Sequence, residues 1–421
     1  MATITNFDRS ISASLLFWHN VAAFLAYLGR LWKLFKVAIV GRLTKKGQLR
    51  ESEVEFGSRI MGYYDGGYGA LLVNLGRKLG MTDYLTKREE RPVTSVEMAE
   101  ELKLKERYVR EWLDGMVAFS IVETDLANRH YWLPSHRANT LSSFGKPALA
   151  KVMGIDCSKG NSLNGFGQFF DMSVEVNRDV ERCFQLDGPG GIPYSRYDAY
   201  SKLITSFSEP KVPSLLSTFV PNLYPGLVEQ LESGISHLDI ACGGAGPSRA
   251  LAKAFPNSEF YGADLSDEAL RRAEDLSMSE GLSNVHFERH DVSRLPKGWE
   301  SKFDLITVFM ALHDFCRPDK VLEECMRVLK DGGRLAVVEK KGHSNALLNV
   351  TDPVAKTSYA VSLFHCTPVG LSEPNGMGLG AMAGVELLSH LIKAAGFTID
   401  ASGVGTMKAD PAATVIVARK P

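Results

Sequence analysis

Three aspartates stand where successive apolar segments of the sequence end. Asp239, Asp264 and Asp291 each follow a short run that is typical of a buried strand. The carboxyl ends of parallel strands meet at one edge of a sheet, where open α/β folds bind ligands. An acid at the second strand can accept both hydroxyls of a ribose, and the third aspartate would lie near an adenine amino group. The spacing therefore predicts a nucleoside-bearing ligand, the alternative for each residue being a helix or loop cap.

A glycine-rich turn joins the first of these strands to a helix. Gly243, Gly244 and Gly246 follow Asp239 closely, and missing side chains let a ligand approach the backbone. A dinucleotide site requires three glycines in the spacing GxGxxG. The third position after Gly246 is Arg249, so the turn disfavours NAD.

With these acids and this turn, residues 238–334 resemble a class I S-adenosylmethionine-dependent methyltransferase. The first motif of this family matches residues 239–245. Asp264 stands at the position of the family's ribose-binding acid, and Asp291 at the position of its adenine-side acid. Residues 303–306 and 329–333 match later motifs of the family. Ala241 and Ala245 stand where many members have glycine, from which we expect a slightly tighter turn. The resemblance implies that S-adenosylmethionine is bound by ten residues. These are Asp239, Ala241, Cys242, Gly243, Gly244, Asp264, Leu265, Asp291, Val292 and Met310.

A histidine follows the fourth predicted strand, on the ligand edge of the sheet. Methyl transfer from a sulfonium requires alignment and exclusion of water rather than a metal, whereas a hydroxyl acceptor benefits from a general base. His313 is the candidate base, Asp314 could orient it, and His365 is the second candidate. The His313-Asp314 pair is similar to the catalytic position of plant small-molecule O-methyltransferases. The alternatives are a structural or cofactor-side role for His313, solvent exposure for Asp314 and a core position for His365.

Residues 342–384 are too long for an ordinary connection, which predicts a lid or a binding element. Tyr359 and Met377 in this segment are candidate acceptor contacts, while Cys366 suits packing because methyl transfer needs no covalent step. Tyr194 and Tyr197 follow a Gly/Pro-rich joint and are candidates to close over the site. Plain packing is the alternative for both tyrosines.

The elements that position these residues are strands and helices in alternation from residue 236 onward. Strands are predicted at 237–241, 259–263, 285–289, 305–309, 335–339, 397–402 and 414–418, with helices at 248–255 and 268–279. Such alternation predicts an α/β fold with a parallel sheet covered by helices on both faces. We expect a seven-stranded Rossmann-like methyltransferase domain over residues 196–421, preceded by a helical linker region over 141–195.

Residues 54–140 predict a winged-helix domain. A capping box at Thr94 and Glu97 opens one helix, a second spans 105–117, and a hairpin follows at 121–133. The second helix carries three basic and three acidic residues, which gives no basic footprint for DNA. Together with residues 188–195, 313–314, 362–366 and 376–380, this domain resembles the mycobacterial-type winged-helix methyltransferases. A dimerisation and substrate-wall role is therefore expected, in a homodimer.

The first fifty residues differ in composition from the rest. Between Arg9 and Arg50 there are eight basic residues and no acidic one, and residues 10–29 carry no charge. Contact of residues 10–43 with an anionic membrane fits this pattern, with a docking helix or a targeting segment as alternatives. Six scattered cysteines without a CxxC pair predict neither a zinc site nor a disulfide framework. A reducing compartment is expected, hence a cytoplasmic protein that could associate with a membrane.

The sequence thus predicts transfer of a methyl group from S-adenosylmethionine to a small-molecule acceptor at oxygen or nitrogen, without nucleic acid. Two other function classes compete with this interpretation. A winged-helix regulator that senses the cofactor would bind DNA without turnover, and an NAD-dependent oxidoreductase would bind a dinucleotide.

Overall fold

The computed structural model describes residues 51–125, 129–146, 164–197, 215–350, 352, 354–406 and 413–421. The membrane or docking prediction for residues 1–50 lies outside this range. The chain divides into a unit of residues 1–68 and a unit of residues 69–421. No helix among the described residues combines the length and the apolar character needed to cross a bilayer.

The first described elements are five helices and a short hairpin. Their bounds are α1 Glu53–Lys78, α2 Met81–Lys87, α3 Ser95–Leu102, α4 Glu106–Ala118, β1 Glu123–Thr124, β2 Tyr131–Trp132 and α5 Ser135–Leu141. The predicted capping box of α3 is present: the Glu97 amide donates to Thr94 Oγ1 at 3.2 Å, and the Thr94 amide donates to the Glu97 carboxylate at 2.8 Å. Residues 69–141 pack around a buried core that includes Met98, Trp112 and Leu113. This is the predicted helix, helix, hairpin order of a winged helix.

A long helix and several short turns lead to the sheet domain. They are α6 Asn164–Cys183, a 3₁₀ turn Tyr194–Tyr197, a π-helical turn Leu215–Phe219, α7 Val220–Leu223 and α8 Leu227–Ser233. Of these elements, α6 lies within residues 141–195, the region predicted to be a helical linker. The domain boundaries that the sequence suggests remain predictions.

Seven strands form the main sheet, as predicted. They are β3 Ser236–Ile240, β4 Glu259–Asp264, β5 Val285–Arg289, β6 Phe303–Phe309, β7 Leu329–Lys340, β8 Thr398–Thr406 and β9 Ala413–Arg419, in the order β5-β4-β3-β6-β7-β9-β8. The first five are parallel, and β9 runs antiparallel to both β7 and β8, so the sheet is mixed rather than parallel as the strand–helix alternation predicted. The carboxyl ends of β4, β3, β6 and β7 therefore lie side by side.

Helices cover both faces of this sheet, and further helices and turns lie beside it. The elements that follow β3 are α9 Gly246–Ala254, α10 Asp267–Ser279, α11 Pro318–Val328, α12 Ala355–Phe364, α13 Cys366–Gly370 and α14 Gly384–Ala394, with 3₁₀ turns Lys297–Trp299, Leu312–Asp314 and Ala346–Asn349. Of these, α12 packs against α6, and α13 packs against α12 and the turn Leu312–Asp314. Alternate side chains of the central strands point to opposite faces. Leu238 and Ile306 belong to one buried cluster, whereas Leu305 and Ala336 belong to the other. Both faces are packed, which fixes the strand ends rigidly.

Candidate active site

The first strand-end acid, Asp239, is buried rather than open to a ligand. Ser248 Oγ donates to its Oδ2 at 2.7 Å and Thr307 Oγ1 to its Oδ1 at 3.2 Å, and His237 Nε2 lies 2.8 Å from the same Thr307 hydroxyl. Burial raises the pKa of Asp239 to about 7, and the two hydroxyl bonds oppose that rise. Asp239 therefore ties β3 to β6 and to the start of α9, which positions the turn between them.

The second strand-end acid, Asp264, is joined directly to the glycine turn. The Gly243 amide donates to Asp264 Oδ2 at 2.9 Å and the Ser266 amide to Oδ1 at 2.9 Å. Burial raises the pKa of Asp264, and these backbone hydrogen bonds act against it. Each carboxylate oxygen has a second lone pair, so the half-buried side chain can still accept from a ligand. We call Asp264 and residues 241–245 the donor edge.

The backbone of the donor edge is left-handed at three positions. The φ angles are +54° at Ala241, +53° at Gly243 and +52° at Ala245. Only glycine adopts this region freely, so the two alanines carry strain of roughly 1–2 kcal/mol each. The expected slight tightening of the turn stays a prediction. A Cβ built on Gly243 would meet no atom within 4 Å, which leaves space for a ligand above the turn.

The other predicted donor residues surround this turn in different states. Cys242 and Val292 are buried, whereas Leu265 is 59% exposed beside Asp264. Met310 ends β6 with φ +51° and donates its amide to Val338 O at 2.7 Å. Asp291 is exposed, and its Oδ1 accepts from the Ser293 amide and hydroxyl. That is the loop-capping geometry which the sequence left open as the alternative for this residue.

A second group of side chains lies at the ends of β6 and β7. His313 in the turn after β6 is 4% exposed, and its Nδ1 lies 2.5 Å from Glu339 Oε2. The His313 amide donates to the other Glu339 oxygen at 3.1 Å. Burial alone would lower the pKa of His313, but the carboxylates of Glu339 and Asp314 outweigh it and raise that pKa well above its usual range. The pair is built so that the imidazole accepts a proton readily.

Asp314, His365 and Cys366 complete this group, which we call the base cluster together with His313 and Glu339. Asp314 Oδ1 lies 3.4 Å from His313 Nε2 and 3.9 Å from His365 Nδ1. Burial lowers the pKa of His365 to about 4, although Asp314 acts in the opposite direction. Burial also raises the pKa of the Cys366 thiol to about 11. The lowered pKa keeps His365 neutral at physiological pH, whereas the close Glu339 carboxylate raises the pKa of His313.

The predicted acceptor contacts divide into two kinds. Tyr197 is buried, its hydroxyl donates to Phe364 O at 2.9 Å, and its ring packs edge-on against His365 at 4.7 Å, which favours packing. Tyr194 is 44% exposed and 6.0 Å from the His365 ring. Met377 is 40% exposed and donates its amide to Cys316 O, while Tyr359 accepts from Asn349 Nδ2 at 3.0 Å. The side chains of Tyr194, near His365, and of Met377 are thus partly exposed.

Sequence reasoning missed Glu339. It ends the segment 335–339 that was predicted as a strand, and it is the one acid in that otherwise apolar run. An acid at a strand end was the signal that identified Asp264, and the same signal applied here would have found Glu339. Its partner is 26 residues away in sequence, so spacing alone does not pair them.

Two family models match the chain, one within the sheet domain and one within the winged-helix domain. Residues 231–361 match the model described as a methyltransferase domain, which includes the donor edge, His313 and Glu339. This part of the chain is a methyltransferase domain. Residues 67–143 match the Rv2258c-like winged HTH domain, so the predicted domain pair and the predicted enzyme class are both confirmed.

The methyltransferase domain is similar to curated and solved proteins. A ubiquinone/menaquinone biosynthesis C-methyltransferase of Azotobacter vinelandii is 39% identical over 87 residues, which cover 20% of this chain and 34% of the relative. The chain thus spans about a third of the length of that relative.

Two solved structures share the fold over most of both chains. Mitomycin 7-O-methyltransferase MmcR has a TM-score of 0.61 and 15% identity, covering 87% of this chain and 98% of its own. Human N-acetylserotonin methyltransferase, solved with S-adenosylmethionine, has a TM-score of 0.54 and 16% identity, covering 89% and 99%. The similarity extends across the winged-helix and sheet domains.

The winged-helix domain lacks the charge pattern of a DNA reader. In α4, Arg107 pairs with Glu111 and Arg110 with Glu106, one helical turn apart. Such pairs neutralise the cations that would otherwise contact phosphates. On the other side of the helix, Trp112 donates its indole N–H to Leu72 O at 2.8 Å, within the domain core. Trp112 thus anchors this helix in the domain core, and the expected lack of nucleic-acid binding stays a prediction.

Proposed function

We propose that this protein transfers a methyl group from S-adenosylmethionine to a hydroxyl of a small molecule, with His313 as the general base. The observation that carries the proposal is the buried His313–Glu339 pair, which lies at the same sheet edge as Asp264. Neighbouring strands are about 4.8 Å apart, and β4 and β6 are separated by β3 alone. Donor edge and base are therefore on the order of 10 Å apart, within the span of one bound nucleoside.

The residues of the donor edge fit the donor. Asp264 has free lone pairs that can accept hydrogen bonds from the ribose hydroxyls. The space above Gly243 lets a ligand lie close to the backbone. The exposed side chain of Leu265 offers an apolar surface to an adenine ring. The buried hydrogen bond between Thr307 and Asp239 supports this arrangement. S-adenosylmethionine, when bound, supplies a methyl group already activated by the sulfonium charge.

The base cluster supplies a place for the acceptor's proton. Glu339 holds His313 through Nδ1, which leaves Nε2, 3.4 Å from Asp314 Oδ1, as the atom that takes the acceptor's proton. As the acceptor oxygen attacks the methyl carbon and the carbon–sulfur bond breaks, Nε2 takes the hydroxyl proton and Glu339 stabilises the resulting imidazolium. The low exposure of His313 and Glu339 excludes water from this step.

A hydroxyl acceptor explains the base better than carbon or nitrogen does. The curated relative is named for C-methylation and one structural neighbour for O-methylation. A neutral amine requires little help from a base, whereas a phenol or a similar acidic hydroxyl must lose a proton as the methyl arrives. We therefore assign the acceptor to hydroxylated small molecules, with Tyr194 and Met377 as its contacts.

The test is methylation of a metabolite extract with isotope-labelled S-adenosylmethionine, followed by mass spectrometry. Wild-type protein should place label in a hydroxyl-bearing compound, His313→Ala should not, and Asp264→Ala should do so only at high donor concentration. The identified acceptor is then compared with its methyl ether and with the matching amine. Label in the amine alone, or label retained in full by His313→Ala, would refute the role of His313.

Two expectations on association remain predictions. Residues 10–43 are expected to contact anionic membranes, and deletion of residues 1–50 should then abolish sedimentation with anionic liposomes. The homodimer is supported by the apolar side chains that α1 exposes, among them Val54, Tyr64 and Tyr68. Sedimentation velocity tests it: a concentration-independent monomer would contradict the dimer.

A further inference from the structure

Three metal-ligating side chains converge at the heart of the base cluster. His313, Asp314 and Cys366 each offer one ligand atom, and these atoms all lie within 4.8 Å of one another. His313 and Cys366 are buried and Asp314 is half-buried. The methyl-transfer mechanism uses the imidazole but has no role for the thiol, which leaves Cys366 unexplained beside the base.

The spacing of two of these atoms matches a tetrahedral site. With zinc–nitrogen and zinc–oxygen bonds of about 2.1 Å, two ligands of a tetrahedron are about 3.4 Å apart. His313 Nε2 and Asp314 Oδ1 lie 3.4 Å apart. The thiolate needs about 3.6 Å to the nitrogen in such a site, so the Cys366 sulfur completes it with a shift of about 1 Å at most.

The surroundings of the three atoms also suit a metal. Glu339 binds His313 Nδ1 at 2.5 Å, and metal-ligating histidines commonly hold a carboxylate at the ring nitrogen that does not bind the metal. Asp314 Oδ1 is buried and accepts no hydrogen bond within the described part of the chain. Its nearest possible donors are His313 Nε2 at 3.4 Å and the Cys366 thiol, which are the other two proposed ligands, so a cation bound among the three would satisfy this oxygen.

We propose that His313, Asp314 and Cys366 bind one Zn²⁺ ion, which occupies the nitrogen of the base and thereby inhibits methyl transfer. One thiolate and one imidazole select zinc over magnesium or calcium. Three protein ligands leave a fourth position open. The inhibitory consequence rests on the proposed function of His313, whereas the site itself does not.

Binding is tested first, without any activity measurement. Competition with a chromophoric zinc chelator should give one tight site in the wild-type protein. Cys366→Ser and Asp314→Asn should weaken that site at least tenfold, while Cys183→Ser, at a half-buried thiol that is not one of the three ligands, should not. Equal zinc affinity in Cys366→Ser and wild type would overturn the site.

Cobalt substitution tests whether the Cys366 thiolate is a ligand, and it is combined with a check that each variant is folded. Co²⁺ bound through a thiolate gives a charge-transfer band, which wild type and Cys183→Ser should show and Cys366→Ser and Cys366→Ala should lack. Circular dichroism of each variant reports whether it is folded. A band that persists in both folded Cys366 variants would place the metal elsewhere and refute the proposal.

Turnover then tests the inhibitory role. Zinc should inhibit wild type competitively with the acceptor and reversibly with a chelator, whereas added zinc should not lower the rate of Cys366→Ser below that variant's own zinc-free rate. If no acceptor is ever methylated, the proposed function fails while the chelator and cobalt results still decide the site. Zinc bound at the three residues without inhibition would refute the inhibitory role.

Discussion

The donor edge and the base cluster lie on the same edge of one sheet but are assembled differently. The donor edge comes from one strand, its turn and the next strand end, and its key hydrogen bond joins Gly243 to Asp264 across 21 residues. The base cluster draws His313, Glu339 and Cys366 from three separate elements. A contiguous motif can be recognised in sequence, whereas a cluster of dispersed side chains emerges only when the sheet forms. We expect the first region to govern donor affinity and the second to govern turnover.

The largest effect is expected from removal of the base. His313→Ala leaves the hydroxyl proton without an acceptor, so kcat should fall by ~10²–10⁴ while donor affinity stays close to wild type. The measurement is steady-state turnover on the identified acceptor beside calorimetry with S-adenosylhomocysteine. Since His365 is also buried in the cluster, His365→Gln is the matched control and should retain far more activity. A normal rate in His313→Ala would contradict the distinction between a region that governs turnover and a region that governs donor affinity.

The donor edge should show the opposite behaviour. Asp264→Ala removes the acceptor of the ribose hydroxyls, which costs roughly 1–3 kcal/mol of donor binding. Calorimetry with S-adenosylhomocysteine measures this loss. Asp291→Ala is the control, because its carboxylate is exposed and bound to its own loop, and it should lose less. Unchanged affinity in Asp264→Ala would remove this residue from the site.

A smaller effect, on pH dependence, is expected from Glu339→Gln. The buried carboxylate raises the pKa of His313, and the base is active only when neutral, so wild-type kcat should still be rising on the alkaline side of neutrality. Loss of the charge should lower that pKa and move the rising limb toward acid by roughly one to three pH units. The plateau rate should fall as well, because the weaker base is also less well oriented. A limb that stays in place would mean that Glu339 does not control His313.

The smallest effect concerns strain in the turn. Ala241 and Ala245 have left-handed backbones, which glycine adopts without cost. Ala241→Gly and Ala245→Gly should each raise the free energy of unfolding by about 1 kcal/mol, measured by chemical denaturation. Ala252→Gly, in the middle of α9, should be destabilising by a similar amount. Destabilisation by glycine at all three positions would contradict the assigned strain.

Much of this architecture was predictable because the local patterns agree with the final packing. The seven strands, the capping box of α3 and the winged-helix order follow from periodicity and turn chemistry alone. The glycine turn also led to Asp264, whose hydrogen bond with the Gly243 amide joins it to that turn, while its contact with a ligand stays a prediction. Asp239 was predicted to bind the donor. In the packed sheet it is buried and accepts hydrogen bonds from Ser248 and Thr307, contacts that the sequence does not reveal.

The base cluster shows where sequence reasoning stops. His313 was found because it follows a predicted strand, yet its partner was assigned to Asp314, its neighbour in sequence. The structure places Glu339 on Nδ1 and leaves Asp314 on the side of Nε2. The scattered cysteines predicted no zinc site, whereas the proposed site joins Cys366 to His313, which is 53 residues away in sequence. Long-range pairing of this kind depends on the order of the strands, which no local pattern contains.

The most direct test of this division is single-turnover methyl transfer at saturating donor in Asp264→Ala and His313→Ala. The account predicts that excess donor restores the Asp264→Ala rate to near wild type, because that variant only binds the donor more weakly. The His313→Ala rate should remain at least ~10²-fold low at any donor concentration. Restoration of His313→Ala by excess donor, together with a persistent defect in Asp264→Ala, would contradict the assignment of the base and the donor edge.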